Sequence, residues 1–231
     1  MNIALILSGG TGTRMQSSIP KQYIKVCDKP IIGYCLDVFQ EVNAIDRIVV
    51  VCNSYWRNFI SDYVAQHNIS KVVAYADAGE SRQASILNGL NMCENFANYN
   101  DLVIIHDAAR PLVTPRIINE LLCVDNYDGI LPVLPVKDTM YYSNDGIEIS
   151  SLLNRDSIYA GQAPECFLFG KYLTINKLAT DDEIANTRGS SEIAFKNGLR
   201  IKLVRGDENN YKITTADDLK RFDRFVMEKR Q

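Results

Sequence analysis

Short apolar runs that alternate with amphipathic segments are the feature that most constrains how this chain folds. Five of these runs have the composition of buried strands, at 3–7, 47–52, 72–75, 102–105 and 130–136. Helical patterns or helix-start signals lie at 30–39, 56–64, 81–92, from Thr114 and from Thr215. Continuous apolar strands separated by helices predict an α/β fold with a mostly parallel sheet covered on both faces. Ligands of such sheets bind at the carboxyl ends of the strands, so the residues after each run are the first candidates for a site.

Composition narrows the class of protein further. The chain has 231 residues, 46% of them apolar, which suffices for the core of one domain spanning 1–231. The net charge of -3 argues against an overall basic field for nucleic acid. No run of eighteen apolar residues is present, which predicts no membrane span, and the N-terminus lacks the pattern of a signal peptide. Six cysteines are scattered singly along the chain, at Cys27, Cys35, Cys52, Cys93, Cys123 and Cys166. This scatter favours reduced thiols in a cytoplasmic protein.

The segment 137–159 breaks the alternation of strand and helix. Asn144-Asp145-Gly146 separates two stretches of alternating polarity, which predicts a β-hairpin. Spacing alone favours an ordinary surface hairpin. The alternative is an arm that reaches a second subunit.

A glycine-rich loop follows the first strand and is the strongest candidate for anion binding. It runs Ser8-Gly9-Gly10-Thr11-Gly12-Thr13-Arg14, and Lys21 follows soon after. Glycines at such a position let backbone N–H groups approach a phosphate, and the two cations would hold a polyphosphate. The loop matches neither GxxxxGK[ST] nor GxGxxG, since Met15 stands where the third glycine would be.

Three later segments could contribute to the same edge of the sheet. Asp107 follows the fourth apolar run and could bind a metal, accept substrate hydroxyls, or pair with Arg110. His106 beside it is predicted to be packed and hydrogen-bonded. Ser85 lies one turn after a capping serine, where plain capping is the simpler interpretation. Lys212 precedes the last helix and points either into the cleft or into solvent.

Taken together, these motifs resemble a known family. The chain is similar to the cytidylyltransferases that join CTP to sugar-alcohol phosphates, which include the ribitol-5-phosphate and 2-C-methyl-D-erythritol 4-phosphate enzymes. The similarity extends from the first strand to the last helix. It is carried by the glycine loop with Pro20-Lys21-Gln22, Gly79 with Arg82 and Ser85, His106-Asp-Ala-Ala-Arg-Pro111, Asp138-Thr139, Asn154-Arg155 and Lys212-Ile-Thr.

The resemblance implies a Rossmann-like nucleotidyltransferase fold, with 137–159 as a β-arm that clasps a twin subunit in a homodimer. CTP with Mg²⁺ would lie along the loop, and Arg14, Lys21 and Lys212 would be the catalytic cations. The residues implied for nucleotide binding are Ser8, Gly9, Gly10, Thr11, Gly12, Gly79, Ser85, Asp107 and Ala108. Those implied for the phosphorylated alditol are Asp107, Arg110, Thr139 and Arg155, and Asp107 is also the implied metal ligand.

The chain departs from the family pattern at two places that bear on the acceptor. Gln162-Ala163-Pro164-Glu165 stands where Gln-Thr-Pro-Gln is usual, so a threonine hydroxyl is missing and a carboxylate is added. Tyr159 and the loop Gly9-Gly10-Thr11-Gly12 look more like the ribitol-phosphate branch. Ribitol 5-phosphate is therefore the favoured acceptor, with methylerythritol phosphate as the alternative.

Two other classes of function remain open from the residues. An oxidoreductase could use the same sheet for NAD, although the missing third glycine argues against it. A non-catalytic nucleotide sensor could keep the fold. The combination of Arg14, Lys21, Asp107 and Lys212 argues against a sensor.

Overall fold

The computed structural model describes residues 1–10 and 19–229, so the predicted site residues Thr11, Gly12 and Arg14 lie outside the described residues. The strands are β1 (Asn2–Leu7), β2 (Lys25–Val26), β3 (Lys29–Pro30), β4 (Arg47–Cys52), β5 (Val72–Asp77), β6 (Leu102–Asp107), β7 (Gly129–Pro135), β8 (Met140–Tyr142), β9 (Ser151–Leu153), β10 (Tyr159–Gly161), β11 (Glu165–Leu168) and β12 (Ile201–Arg205). The α-helices are α1 (Ile31–Glu41), α2 (Ser54–Gln66), α3 (Arg82–Cys93), α4 (Pro115–Leu121), α5 (Phe169–Leu178), α6 (Asp181–Asn186), α7 (Ser190–Lys196) and α8 (Ala216–Glu228). Short 3₁₀ turns lie at Lys21–Tyr23 and Arg155–Ser157.

An eight-stranded sheet forms the centre of the fold, in the order β10-β7-β11-β6-β1-β4-β5, with β12 paired to β7. The strands β6, β1, β4 and β5 are parallel, as predicted. Their ends lie in register, since Leu7 pairs with Asp107 and with Val51. The loops after β1, β5 and β6 therefore emerge at one edge, where the sequence placed its candidates.

The sheet also contains antiparallel pairs of strands, which a strict alternation of strands and helices would not give. β11 lies antiparallel between β6 and β7, with Glu165 opposite Ile105. β10 pairs antiparallel with β7. β11, β12 and the helices α5 to α7 were not predicted from the sequence. The consequence for the site is that Glu165 begins a strand beside the end of β6.

Successive residues of the central strands face opposite sides, and each side has its own core. Ala4 and Ile6 pack with α1, α2 and α4, whereas Ile3 and Leu5 pack with α3, α5 and α7. The predicted burial of the sheet on both faces is thus confirmed. A smaller cluster joins α8 to the chain near Ile213.

The predicted helix starts are confirmed by their caps. Ser81 accepts the N–H of Ala84 at the start of α3, and Thr114 precedes Pro115 in the first turn of α4. Thr215 and Asp218 form the predicted capping box of α8, with both reciprocal hydrogen bonds present. These local signals fix where each helix begins and so where the adjoining loops lie.

The hairpin predicted between 137 and 159 is also present. β8 and β9 pair antiparallel around a turn in which Gly146 has a φ of +74°. Apolar side chains project from it into solvent, and they are Tyr141, Tyr142, Ile147, Ile149, Leu152 and Leu153.

Among the described helices, none combines the length and apolar character needed to cross a bilayer.

Candidate active site

A cavity of about 360 Å³ opens at the carboxyl edge of β1, β5 and β6. Its lining joins segments that are far apart in the chain, and the lining residues used below are Gly9, Gly10, Lys21, Gln22, Gly79, Ser81, Arg82, Ser85, Asp107, Ala109 and Lys212. Most of the described residues predicted for the site therefore meet in one place. In particular, Lys21 and Lys212, which are 191 positions apart in number, both face the same space.

The glycine loop forms one wall and is held from behind by side chains. Gln22 donates through Nε2 to the carbonyls of Ser8 and Gly10, each at 2.7 Å. Tyr23 donates to the Ser8 carbonyl at 2.8 Å. A Cβ on Gly9 would lie 2.3 Å from the Cβ of Ala78, so the close approach of the two loops requires glycine. Ser8 itself is buried and lines an adjoining hollow instead of the main cavity.

The loop before α3 forms the opposite wall. The Ser85 hydroxyl accepts the N–H of Gly79 at 3.0 Å and donates to the Ser81 carbonyl at 3.0 Å. A side chain on Gly79 would meet Ala84 at 2.5 Å. Ser85 thus shapes the wall and faces the cavity. Its predicted contact with a base stays a prediction.

Asp107 lies at the centre of the site and is hydrogen-bonded to two cations, while the Nε atom of a third, Arg110, lies 3.9 Å from its Oδ2 atom. Its carboxylate accepts from Arg82 Nε at 3.1 Å and from Lys212 Nζ at 2.9 Å. Burial acts to raise the pKa of Asp107, but the charges of Arg82 and Lys212 outweigh it and hold that pKa well below the usual range. Asp107 is therefore ionised throughout the neutral range and keeps both cations at the cavity wall.

Lys212 is positioned by a buried neighbour. Ile213 is fully buried in the small cluster beneath α8, and its N–H donates to the Ala109 carbonyl at 2.8 Å. Anchoring the next residue directs the lysine towards Asp107. Of the two orientations that the sequence left open for Lys212, the structure shows the one that faces the cleft.

Besides Ser8, four predicted residues that the structure describes are absent from the lining of this cavity. Ala108 is fully buried against α1, and Ala109 lines the cavity in its place. Arg110 donates to the Asn210 carbonyl at 2.7 Å and so braces the segment before Lys212. Thr139 and Arg155 line a separate hollow on the arm, where Arg155 donates to the Lys137 carbonyl at 3.0 Å.

Arg82 is the main functional candidate that was absent from the predicted site residues. It is the first residue of α3, and it donates to Asp107 and, through Nη1, to the Ser190 hydroxyl at 2.7 Å. The sequence contained a signal, because Arg82 lies between Gly79 and Ser85 in the motif that carried the resemblance. The orientation of the Arg82 side chain depends on Asp107 and Ser190, which are distant from it in the chain.

His106 is packed, as predicted, and is not a candidate base. The ring is fully buried and hydrogen-bonded to the Arg110 carbonyl at 3.1 Å. Burial lowers the pKa of His106 to about 3. We expect its NMR ring signals to stay constant between pH 5 and 8 in the folded protein, and to titrate in the urea-unfolded chain. A midpoint near 6.5 in the folded state would contradict this placement.

A divalent cation is compatible with this site through one carboxylate. Asp107 accepts one hydrogen bond on each oxygen, which leaves lone pairs available on both. Among the described residues, no group of three His, Cys, Asp or Glu side chains is arranged to hold a metal. A single carboxylate beside a site for phosphates fits Mg²⁺, which is commonly bound by one or two carboxylates together with substrate phosphates.

Comparison with known proteins gives the family. The sequence model of 2-C-methyl-D-erythritol 4-phosphate cytidylyltransferase, IspD, matches residues 2–229. The chain belongs to the IspD family. A ribitol-5-phosphate cytidylyltransferase of Streptococcus agalactiae is 35% identical over 224 residues, which cover 96% of this chain and 94% of that protein.

Other relatives bear the second activity name. A 2-C-methyl-D-erythritol 4-phosphate cytidylyltransferase of Geobacter metallireducens is 34% identical over 228 residues, covering 98% of this chain and 97% of that protein. The crystal structure of 4-diphosphocytidyl-2C-methyl-D-erythritol synthase from Anaerococcus prevotii superposes with a TM-score of 0.82 at 21% identity, covering 98% and 96% of the two chains. The nucleotidyltransferase fold and the family predicted from the motifs are thus confirmed.

Proposed function

We propose that this IspD-family cytidylyltransferase transfers the cytidylyl group of CTP to ribitol 5-phosphate or a closely related alditol phosphate. The observation that carries the proposal is the convergence of Lys21, Arg82 and Lys212 on one glycine-walled cavity. A cavity with three cations suits two substrates that repel each other through their phosphates. Homologues named for both acceptors are similar at almost equal identity, so the choice of ribitol depends on Tyr159 and the first loop.

The reaction forms one bond and breaks another. A phosphate oxygen of the acceptor attacks the α-phosphorus of CTP, the bond from that phosphorus to the β-phosphate oxygen breaks, and pyrophosphate leaves. The attacking phosphate is already an anion, so no general base is needed, in keeping with the packed His106. Positioning and charge stabilisation supply the rate enhancement in this class of reaction.

Five residues of the cavity have a part in this scheme. Gly9 and Gly10 line the cavity where the triphosphate would lie, and Lys21 and Lys212 stabilise the negative charge that develops at the α-phosphate. Asp107 keeps Lys212 in place and would ligate Mg²⁺. The metal, when bound, neutralises phosphate charge. We also place the protein in the cytoplasm, in keeping with six cysteines that are scattered singly along the sequence.

The test is release of pyrophosphate from CTP and Mg²⁺ with a panel of acceptors. We expect the highest kcat/KM with ribitol 5-phosphate. A preference for 2-C-methyl-D-erythritol 4-phosphate would favour the alternative acceptor. Absence of turnover with every phosphorylated alditol, while CTP still binds, would favour a nucleotide sensor and contradict the proposal.

A homodimer formed through the arm is part of the same proposal. Thr139 and Arg155 lie outside the cavity of their own chain, so they would reach an acceptor only in a partner's cavity. The exposed apolar side chains of the hairpin would be covered by that contact. We expect Leu152→Asp to shift the mass in light scattering from dimer to monomer and to raise KM for the acceptor. Glu94→Gln, far from the arm in sequence and exposed, is the control, and an unchanged mass for Leu152→Asp would contradict the arm contact.

A further inference from the structure

A second buried carboxylate lies beside the cation cluster of the cavity. Glu165 begins β11, is 6% exposed, and has no place in the scheme above. Its Oε1 atom is 3.8 Å from Arg82 Nη2 and accepts the Ser190 hydroxyl at 2.7 Å. The sequence had singled out this position, because the family usually has glutamine there.

The hydrogen bonds form a relay from the cavity to Glu165. Arg82 Nη1 donates to the Ser190 hydroxyl, which therefore has its own hydrogen to give, and it donates that hydrogen to Glu165. Ser190 is fully buried at the start of α7. All three nitrogens of the guanidinium group thus face a partner, with Asp107 on one side and the Ser190–Glu165 pair on the other.

Stability alone does not account for a carboxylate at this position. Burial raises the pKa of Glu165, which the charge of Arg82 and the Ser190 hydrogen bond oppose. The Ser191 side chain also acts to lower the pKa, but the buried Oε2 atom has no hydrogen-bond partner within normal distance and angle among the described residues. Burying a carboxylate with incomplete hydrogen bonding generally costs free energy, so its presence suggests a role other than stability.

Glu165 affects how the Asp107 carboxylate is shared between Arg82 and Lys212. Without a second anion, the fork-shaped guanidinium would be free to turn onto Asp107 and bind it through two nitrogens, as arginine–carboxylate pairs commonly do. Such a pair would compete with Lys212 for the same carboxylate. The anion on the other side keeps Arg82 bound to Asp107 through Nε alone.

We propose that Glu165 is a positioning residue that, through Ser190, holds the Arg82 guanidinium in the orientation the cavity needs and leaves Asp107 shared with Lys212. This inference rests on the proposed function, because its readout is cytidylyl transfer. Glu165 touches no substrate in this scheme and acts only through Arg82.

The test is a double-mutant cycle in kcat with Glu165→Gln and Arg82→Lys. Glutamine keeps the shape and an acceptor for Ser190 and is the residue usual in the family, so the variant should fold. We expect Glu165→Gln to lower kcat by about tenfold to a hundredfold. KM for CTP should not rise, since removing an anion makes the cavity more positive. In the Arg82→Lys background, which lacks the fork, the same change should alter kcat by less than about twofold.

The outcomes separate the two proposals. Glu94→Gln removes an exposed carboxylate and is the matched control. Additive effects of the two substitutions, an unchanged kcat in either single variant, or a loss of kcat that merely follows a loss of folded protein in urea titration would overturn the positioning role. Absence of turnover by the wild-type protein with all acceptors would instead overturn the proposed function, and the positioning role with it.

Discussion

Replacing Lys21 by alanine is expected to lower kcat for cytidylyl transfer by about 10²–10³-fold, the usual cost of losing one group that stabilises transition-state charge. Lys21 follows the glycine loop, begins the 3₁₀ turn that also holds Gln22 and Tyr23, and faces the cavity with Lys212. The main-chain and side-chain contacts of Gln22 and Tyr23 that hold the loop do not require the lysine ammonium group. The free energy of unfolding should therefore change by less than about 1 kcal/mol.

Lys25→Ala is the matched control for this substitution. Lys25 is exposed, lies four residues further on, and is absent from the lining of the cavity. Steady-state pyrophosphate release and urea unfolding of the wild type and both variants give the comparison. A kcat for Lys21→Ala within about threefold of the wild type would remove this lysine from the charge stabilisation at the α-phosphate.

The parallel half of the sheet was predictable because its strands are encoded locally. The run 48–52 is apolar at every position, since both faces of a central parallel strand are buried, and β4 has the predicted bounds Arg47–Cys52. β11 was missed because it is four residues long, begins with a charged residue, and depends on pairing with β6 across a distance of about sixty residues in the chain.

The site shows the same division between local and distant determinants. The glycine loop and the cap of α3 could be located from neighbouring residues alone. The orientation of Arg82 depends on Asp107 and Ser190, which belong to other elements, so the residue appeared in a motif but not among the predicted site residues. The two alanines after Asp107 look equivalent in the sequence. Only the path of the chain after β6 decides that Ala109 faces the cavity and Ala108 the core.

Asp107→Asn is expected to remove turnover and to destabilise the fold. The substitution leaves Arg82 and Lys212 without the carboxylate that separates their charges, and breaking a buried pair of this kind costs about 3 kcal/mol. The loss of activity follows because Lys212 no longer has the partner that directs it into the cavity. Asp77→Asn is the matched control, since Asp77 likewise ends a parallel strand, β5, but forms an exposed pair with Arg57 worth at most about 1 kcal/mol.

The dependence of this destabilisation on pH follows from the depressed pKa of Asp107. A carboxylate whose folded-state pKa lies below its unfolded value of about 3.9 stabilises the fold fully above that unfolded value. Its contribution is lost as the pH falls through the folded-state pKa. The difference in unfolding free energy between the wild type and Asp107→Asn should therefore be constant from pH 8 to about 5 and shrink as the pH falls below about 4. Urea titrations at pH 7, 5, 4 and 3 measure it, and a difference that grows towards low pH would contradict the pairing of Asp107 with its two cations.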